Sequence, residues 1–202
     1  MKNTAIRTAF LDTVPVMTGY LFLGFGFGIY LHENGYGLLW SLAMSTFIYA
    51  GSMQFVAVSL MTGGASLLTT ALTTLMVNAQ QLFYGISMVE SYRGMGKKKP
   101  YAIFALTDET YSLLCTTKVP EGVDEPKFLF AISVLDHFYW IAGSAIGAIA
   151  GTLLPISSEG IDFAMTALFV VIFIEQWMEK KNRIPELIGV SVAIVSLLMF
   201  GA

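Results

Sequence analysis

Charge is what this sequence has least of. Only 12% of its 202 residues are Asp, Glu, Lys or Arg, against roughly 25% in soluble domains. From residue 34 to residue 89 there is no charged residue and no histidine. That run is long enough for two membrane crossings at ~20 residues each. Cysteine is nearly absent: a lone Cys115 excludes an intrachain disulfide and a Cys-based metal cluster, and reads as a small apolar core residue. The net charge of −3 provides no basic field for nucleic acid. The metalloprotease pattern HExxH, the nucleophile elbow GxSxG and a Gly-rich P-loop are all missing, so no enzymatic, cofactor or metal site is expected. Without a nucleotide site, any pumping must draw on an ion gradient or on the solute's own gradient.

What is present is apolar: 55% hydrophobic residues, 19 glycines and a mean hydropathy of +0.69. This composition predicts an all-α, polytopic integral membrane bundle forming one transporter-like domain over residues 1–202. Lys2 and Arg7 precede the first apolar run. No small-residue cleavage site follows, so a retained helix is expected rather than a signal peptide. The apolar segments number about six or seven. The first covers Thr13 to Leu31, the second Leu38 to Met61, the third Leu67 to Val89 and the short fourth Tyr101 to Thr117. The fifth covers Phe128 to Leu154, the sixth Ile161 to Met178 and the seventh Leu187 to Ala202. The last barely suffices to span, which suggests a C-terminal truncation.

Basic residues cluster at the N-terminus, at 93–99 and at 180–183, and the positive-inside rule asks that all three lie in the cytoplasm. Three apolar segments separate each cluster from the next, so one segment per half is expected to be broken or re-entrant. Segments three and four are the most polar and are the candidates. Gly24-x-x-x-Gly28 before a segment ending Met53-Gln54-Phe55 is echoed by Gly143-x-x-x-Gly147 before one ending Glu175-Gln176-Trp177. The echo suggests two repeat halves, 10–99 and 100–202, an arrangement found in transporters with discontinuous helices at the repeat interface. Gly143, Gly147 and Gly151 give segment five a smooth face for close helix approach. Pro15 and the Gly24–Gly28 run leave open an unwound stretch in segment one.

Polar groups mark where chemistry is expected. Ser41, Ser45, Tyr49 and Ser52 fall on one face of a continuous helix, as do Thr70, Thr74, Asn78 and Gln81 with Tyr84. The serines and threonines read as glue between helices. Asn78, Gln80 and Gln81 offer more donors and acceptors than packing needs, and suggest a polar cavity. Thr107-Asp108-Glu109-Thr110 lies near the middle of segment four. An acid at that depth costs roughly 2.5–3.5 kcal/mol on insertion scales and marks a functional site by default. Adjacent carboxylates point ~100° apart on a helix, so they are not expected to share a partner. Asp136-His137, again deep, fits either a proton relay or a structural pair. His32 reads as a solvated turn residue.

Taken in order, TVPVMTGYLFLGFGFGIY, YAGSMQF (Tyr49 to Phe55), LTDETY (Leu106 to Tyr111), WIAGSAIGAIAGTLLP and FAMTALFVVIF resemble the AzlC family of bacterial branched-chain amino acid exporters. The resemblance runs over nearly the whole chain. It implies a multi-pass permease of the bacterial inner membrane that exports branched-chain or other hydrophobic amino acids. It also implies a small hydrophobic AzlD-type partner subunit and coupling to protons. Many members carry an arginine where this chain has Gln80, and continue beyond the position of Ala202. On this reading Ser52, Gln54, Asn78, Gln81 and Thr107 bind the amino acid, while Asp108, Glu109, Asp136 and His137 handle protons. The alternative is a non-transporting assembly subunit or an intramembrane enzyme.

Overall fold

The computed structural model describes residues 2–154, 170, 174 and 184–200, and every regular element among them is helical. It divides into two compact units, Met1–Ser158 and Glu159–Ala202. Of the second, the described part is chiefly one apolar helix, Ile184–Phe200. Segment six apart from residues 170 and 174, the basic stretch at 180–183 and the Glu175–Trp177 echo lie outside the described residues.

The first unit is organised on two long helices, α1 (Lys2–Glu33) and α8 (Glu125–Leu153). At 1.5 Å per residue each is at least ~43 Å long, more than the ~30 Å hydrocarbon core of a bilayer. They run parallel and in register. An added Cβ at Gly24 would meet Gly143 and Ser144, and one at Gly28 would meet Gly147 and Ala148. Nearer the helix starts, Ala5 and Ala9 pack with Phe128, Leu129 and Ile132. The glycines that echo one another in sequence therefore face one another in the fold. They are used for close approach, and α1 stays helical through both Pro15 and the glycine run. Thr18 Oγ1, donating to the Pro15 carbonyl at 2.8 Å, shows a side chain serving the backbone near the proline.

Between these helices the chain forms two helical hairpins and one traversing segment. Segment two splits into α2 (Leu38–Phe47) and α3 (Ser52–Thr62). α2 leaves the C-terminal end of α1, and its Ser45 lies against Ser144 and His137 of α8. α3 returns the same way: Phe55 stacks on Tyr30, whose hydroxyl reaches Ser59. Segment three becomes α4 (Leu67–Val77) and α5 (Ala79–Ser87), interrupted at Asn78 but continuing to the opposite end. There Met88, Tyr92 and Met95 join Ala5, Ala9 and Phe128 in one cluster. Segment four is the second hairpin, α6 (Lys99–Phe104) and α7 (Asp108–Thr116). It starts beside Phe130, over which Lys98 Nζ sits at 4.8 Å, and Leu114 of its returning arm rejoins the same cluster.

Segments three and four, expected to be broken or re-entrant, are both interrupted, at Asn78 and at 105–107; segment two, expected to be one helix, doubles back as well. The cause is local. Tyr49 and Gly51 adopt positive φ of 43° and 37°, a region that ends a right-handed helix. Ser41, Ser45, Tyr49 and Ser52 therefore do not share one continuous helix. Cys115, expected inside, is exposed on α7, because that helix turns its Thr110–Leu114 side inward. His32 is not a loose turn residue: it closes α1 and packs over Gly151.

Polarity is distributed as in a membrane protein. Gln54, Thr107, Thr110, Ser133, Asp136 and Ser144 are buried, while Leu39, Phe47, Leu67, Met76, Phe138 and Leu153 are exposed. A surface rich in large apolar side chains, over an interior that also holds buried polar groups, suits lipid, since soluble monomers rarely expose apolar surface of this extent.

Candidate functional site

Three backbone breaks lie at one depth, where the two hairpin tips meet the interruption of the traversing segment. The tip of the first hairpin, Tyr49, stacks on His137 with ring centroids 4.2 Å apart and approaches Phe104 at the tip of the second. Tyr20 of α1 touches both tips: its ring packs edge-on to Tyr49, and its hydroxyl meets Thr107 Oγ1. At 1.5 Å per residue, Asp136 is roughly 16 Å along α8 from Glu125, the same level.

Each break has a chemical reason. At the second tip Thr107 is extended and caps α7, its Oγ1 accepting from the Thr110 N–H at 3.3 Å. Asp108 and Glu109 then occupy the first turn, where the helix dipole favours negative charge. At the first tip the Tyr49 N–H bonds to the Met44 carbonyl, so the Ser45 carbonyl loses its regular helical partner. His137 supplies one: its Nε2 lies 3.0 Å from Ser45 O. A carbonyl only accepts, so Nε2 carries the proton and Nδ1 accepts from the Tyr101 hydroxyl at 2.8 Å. Both ring nitrogens are thus engaged in holding the hairpins together.

The expected binding and proton residues are sorted by this geometry. Asp108 and Glu109 diverge, as their adjacency on a helix requires. Gln80 Nε2 donates to both oxygens of Asp108 at 2.8 Å. Glu109 Oε2 accepts from Tyr20 at 2.9 Å. Asp136 Oδ2 accepts from Thr110 at 2.9 Å, while its Oδ1 is buried without a partner. Gln54 is fully enclosed away from the two α7 acids: its Oε1 accepts from Trp140 Nε1 at 2.8 Å and its Nε2 donates to Ser45 Oγ at 3.4 Å. Ser45 Oγ in turn meets Ser144 Oγ at 2.7 Å. Ser52 opens α3, whose N-terminus no side chain caps. Asn78 forms the junction of α4 and α5. Gln81 is half-buried on α5, one residue past the carboxamide that reaches Asp108. Thr74 donates to its own helix at the Thr70 carbonyl, which leaves it as a packing residue.

Sequence reasoning did not single out Tyr20, Thr110, Tyr101, Trp140 or Ser144 as members of the site, and met Gln80 as one of three cavity carboxamides and as a departure from a family pattern, without a partner for it. Thr110 lies within the same TDET run, three residues after the cap. The others carry no local signal, since their role comes from contacts made across long sequence separations.

What the arrangement offers is an amphiphilic centre: acids, carboxamides and hydroxyls beside a cluster of aromatic rings, Tyr20, Phe27, Tyr49, Phe55, Phe104 and Trp140, with Gln80 on its exposed side. Among the described residues no group of His, Cys, Asp and Glu is placed to hold a metal.

Comparison with known proteins agrees with this picture. The family model described as AzlC protein matches residues 15–154. The branched-chain amino acid transport protein AzlC of Bacillus subtilis is 48% identical over 197 residues, covering 98% of this chain and 78% of the relative. An uncharacterized membrane protein of Haemophilus influenzae is 42% identical over 98% of this chain and 81% of its own length. The inner membrane protein YgaZ of Escherichia coli is 27% identical over 85% of this chain and 73% of its length. No solved structure matches. With the family model spanning most of the folded core and a near full-length relative at this identity, the chain is a membrane protein belonging to the AzlC family.

Proposed function

We propose that this protein is a secondary transporter subunit that exports branched-chain and other hydrophobic amino acids across the bacterial inner membrane, coupled to protons. The observation that carries the reading is the meeting of the two hairpin tips beside Tyr20, with Gln80, two residues past the Asn78 break, reaching Asp108 at the second tip. Discontinuous helices place partly charged backbone ends inside the bilayer, and transporters use them to hold a zwitterion. Here the uncapped N-terminus of α3 at Ser52 suits a carboxylate. The α7 acids suit an ammonium group, and the aromatic walls suit an aliphatic side chain. The acids Asp108, Glu109 and Asp136 are the candidates for proton coupling.

In this reading α1, the α4–α5 segment and α8 cross the membrane, and the two hairpins are re-entrant from opposite faces. Two crossings then separate Arg7 from Arg93, so the N-terminus and the 93–99 cluster share one side, and the positive-inside rule makes it the cytoplasm. The E. coli relative is named as an inner membrane protein and the B. subtilis relative as a branched-chain amino acid transport protein, which supports the location and the substrate class. A small hydrophobic AzlD-type subunit is the proposed partner.

The test is efflux of labelled leucine, valine and methionine from vesicles containing the protein and its partner, with and without a proton gradient. Gradient-dependent efflux is expected. Asp108→Asn is expected to abolish that dependence while leaving membrane insertion intact. Binding without flux would mean an assembly subunit, and a chemically altered product an enzyme.

A further inference from the structure

An unbroken line of oxygens runs through the site from one carboxyl group to another. Tyr20 donates to Glu109 Oε2 at 2.9 Å and also meets Thr107 Oγ1. Thr107 donates to Thr110 Oγ1 at 3.0 Å, and Thr110 donates to Asp136 Oδ2 at 2.9 Å. The line brings together α1, the second hairpin and α8.

Its protons can be counted. Three hydroxyls, those of Tyr20, Thr107 and Thr110, lie between two carboxyl groups and make four contacts. Each hydroxyl has one proton, and an ionised carboxylate has none. With both carboxylates ionised, three protons serve four contacts. If Tyr20 gives to Glu109, Thr107 to Thr110 and Thr110 to Asp136, then Tyr20 and Thr107 confront each other with lone pairs alone. One added proton completes the line. It does so in two ways, with every donor pointing toward Asp136 when Glu109 is protonated, or every donor pointing toward Glu109 when Asp136 is protonated.

The surroundings favour the added proton. Asp136 is fully buried and its second oxygen has no partner. The Tyr49 hydroxyl of the first hairpin lies near Asp136 but is also without a hydrogen bond of good geometry. His137, next to Asp136, turns its ring to Ser45 and Tyr101. Asp108, next to Glu109, turns to Gln80. Among the described residues no Lys or Arg acts on either carboxyl group, so none of them offsets two negative charges here.

We propose that Glu109 and Asp136 share a single proton that passes between them along Tyr20, Thr107 and Thr110. This rests on the proton-coupled reading above and names its carriers. A proton on Glu109 moves to the Tyr20 oxygen as Tyr20 gives its own to Thr107, Thr107 to Thr110 and Thr110 to Asp136 Oδ2. One proton leaves Glu109 and one arrives on Asp136. The three O–H bonds end reversed, and rotation about each C–O bond resets them. The line thus connects a partly buried acid with a fully enclosed one.

The experiment is infrared spectroscopy of the whole protein reconstituted in lipid at neutral pH, without solute, reading the carbonyl stretch of protonated carboxyl groups. The wild type is expected to show this band. Both Asp136→Asn and Glu109→Gln are expected to remove it, because the amide NH₂ supplies the missing donor and lets the remaining acid ionise. A wild type without the band, or a band that survives either substitution, overturns the proposal. Thr107→Val interrupts the line and is expected to lower proton flux at least tenfold; Thr107→Ser, which keeps the hydroxyl, is expected to restore the flux. Undiminished proton flux in Thr107→Val also overturns it. The infrared band needs no amino acid, so it decides the shared proton even if the wild type moves no leucine and the transport reading fails.

Discussion

The parallel contact between α1 and α8 sets the spacing of the whole site, and glycine substitutions measure how little room it has. A Cβ added at Gly147 would lie 2.0 Å from the Phe25 carbonyl oxygen, and one at Gly28 would lie 2.2 Å from the Ser144 carbonyl oxygen. Both obstacles are backbone, which cannot rotate aside. Relief to even 3.0 Å, the lower limit for real Cβ contacts, requires the helices to part by roughly 1 Å, and overpacking of this kind typically costs about 1–3 kcal/mol. At Gly143 and Gly24 the nearest backbone atoms are 2.8 Å and 2.9 Å away, so a shift of a few tenths of an ångström suffices. At Gly151 the nearest atoms belong to the His32 side chain at 3.1 Å, and at Gly19 nothing lies within 4 Å. The expected order of destabilisation by alanine is therefore Gly147 and Gly28 first, Gly143 and Gly24 next, Gly151 small and Gly19 negligible. Thermal unfolding of the solubilised protein, followed by intrinsic fluorescence, reads this order. The transport rate should follow the same order more steeply, since a misplacement of about 1 Å can cost on the order of 100-fold when polar groups must meet. Equal effects of Gly147→Ala and Gly19→Ala would refute the close parallel contact.

Two further outcomes follow from named contacts. Gln80→Ala removes the donor that spans both oxygens of Asp108; hydrogen bonds to charged groups are worth about 1.5–3 kcal/mol, so half-maximal transport of leucine should require roughly 10-fold more solute or beyond, whereas Gln80→Arg, which restores a donor as an ion pair, should remain near wild type. At the start of α8, Asp124 accepts from the Lys127 N–H and from Lys127 Nζ, and the Lys127 side chain, then its backbone N–H, hold the Asp124 carboxyl below its ordinary value. A depressed carboxyl stabilises the fold above its unfolded value near 3.9 and loses that contribution as pH falls through its lower folded value, so the cap should be constant from pH 5 to 8 and fail only in stronger acid. Hydrogen exchange at Lys127 and Phe128 should be faster in Asp124→Ala at neutral pH, and wild-type protection unchanged between pH 5 and 8.

Much of the architecture was legible because the membrane simplifies the code. The absence of charge from 34 to 89 points to apolar helices, and the positive-inside rule applied to Arg93 and Lys97–Lys99 asks for a segment that turns back. The second hairpin was anticipated only through the polarity of segment four; Thr107 followed by two acids reads as lying mid-segment, whereas a capping residue followed by two acids is how a helix begins. The first hairpin was hidden. Its turn contains Ala50-Gly51 and no proline, and the positive φ of Tyr49 is held by the stacked His137 ring and the contact with Tyr20, neither of which is near in sequence. Asn78 drew attention for its carboxamide, yet its visible role is to stand where α4 ends and α5 begins.

The site itself was half legible for a related reason. Acids inside apolar segments announce themselves, because their burial is costly unless it serves something. The groups that connect those acids do not. A tyrosine on α1 and two threonines on α7 are ordinary membrane-helix residues, and each alone reads as packing glue. Their meaning lies in order and in proton count. Tyr20 reaches Glu109 from one side and Thr107 from the other, and Thr110 meets Asp136 because the second hairpin doubles back between α1 and α8, on the N-terminal side of their closest approach at Gly28 and Gly147. The glycine contacts and the hydroxyl line are therefore one construction: without backbone approach at Gly24, Gly28, Gly143 and Gly147, Tyr20 and Asp136 would stand too far apart for two threonines to bridge them.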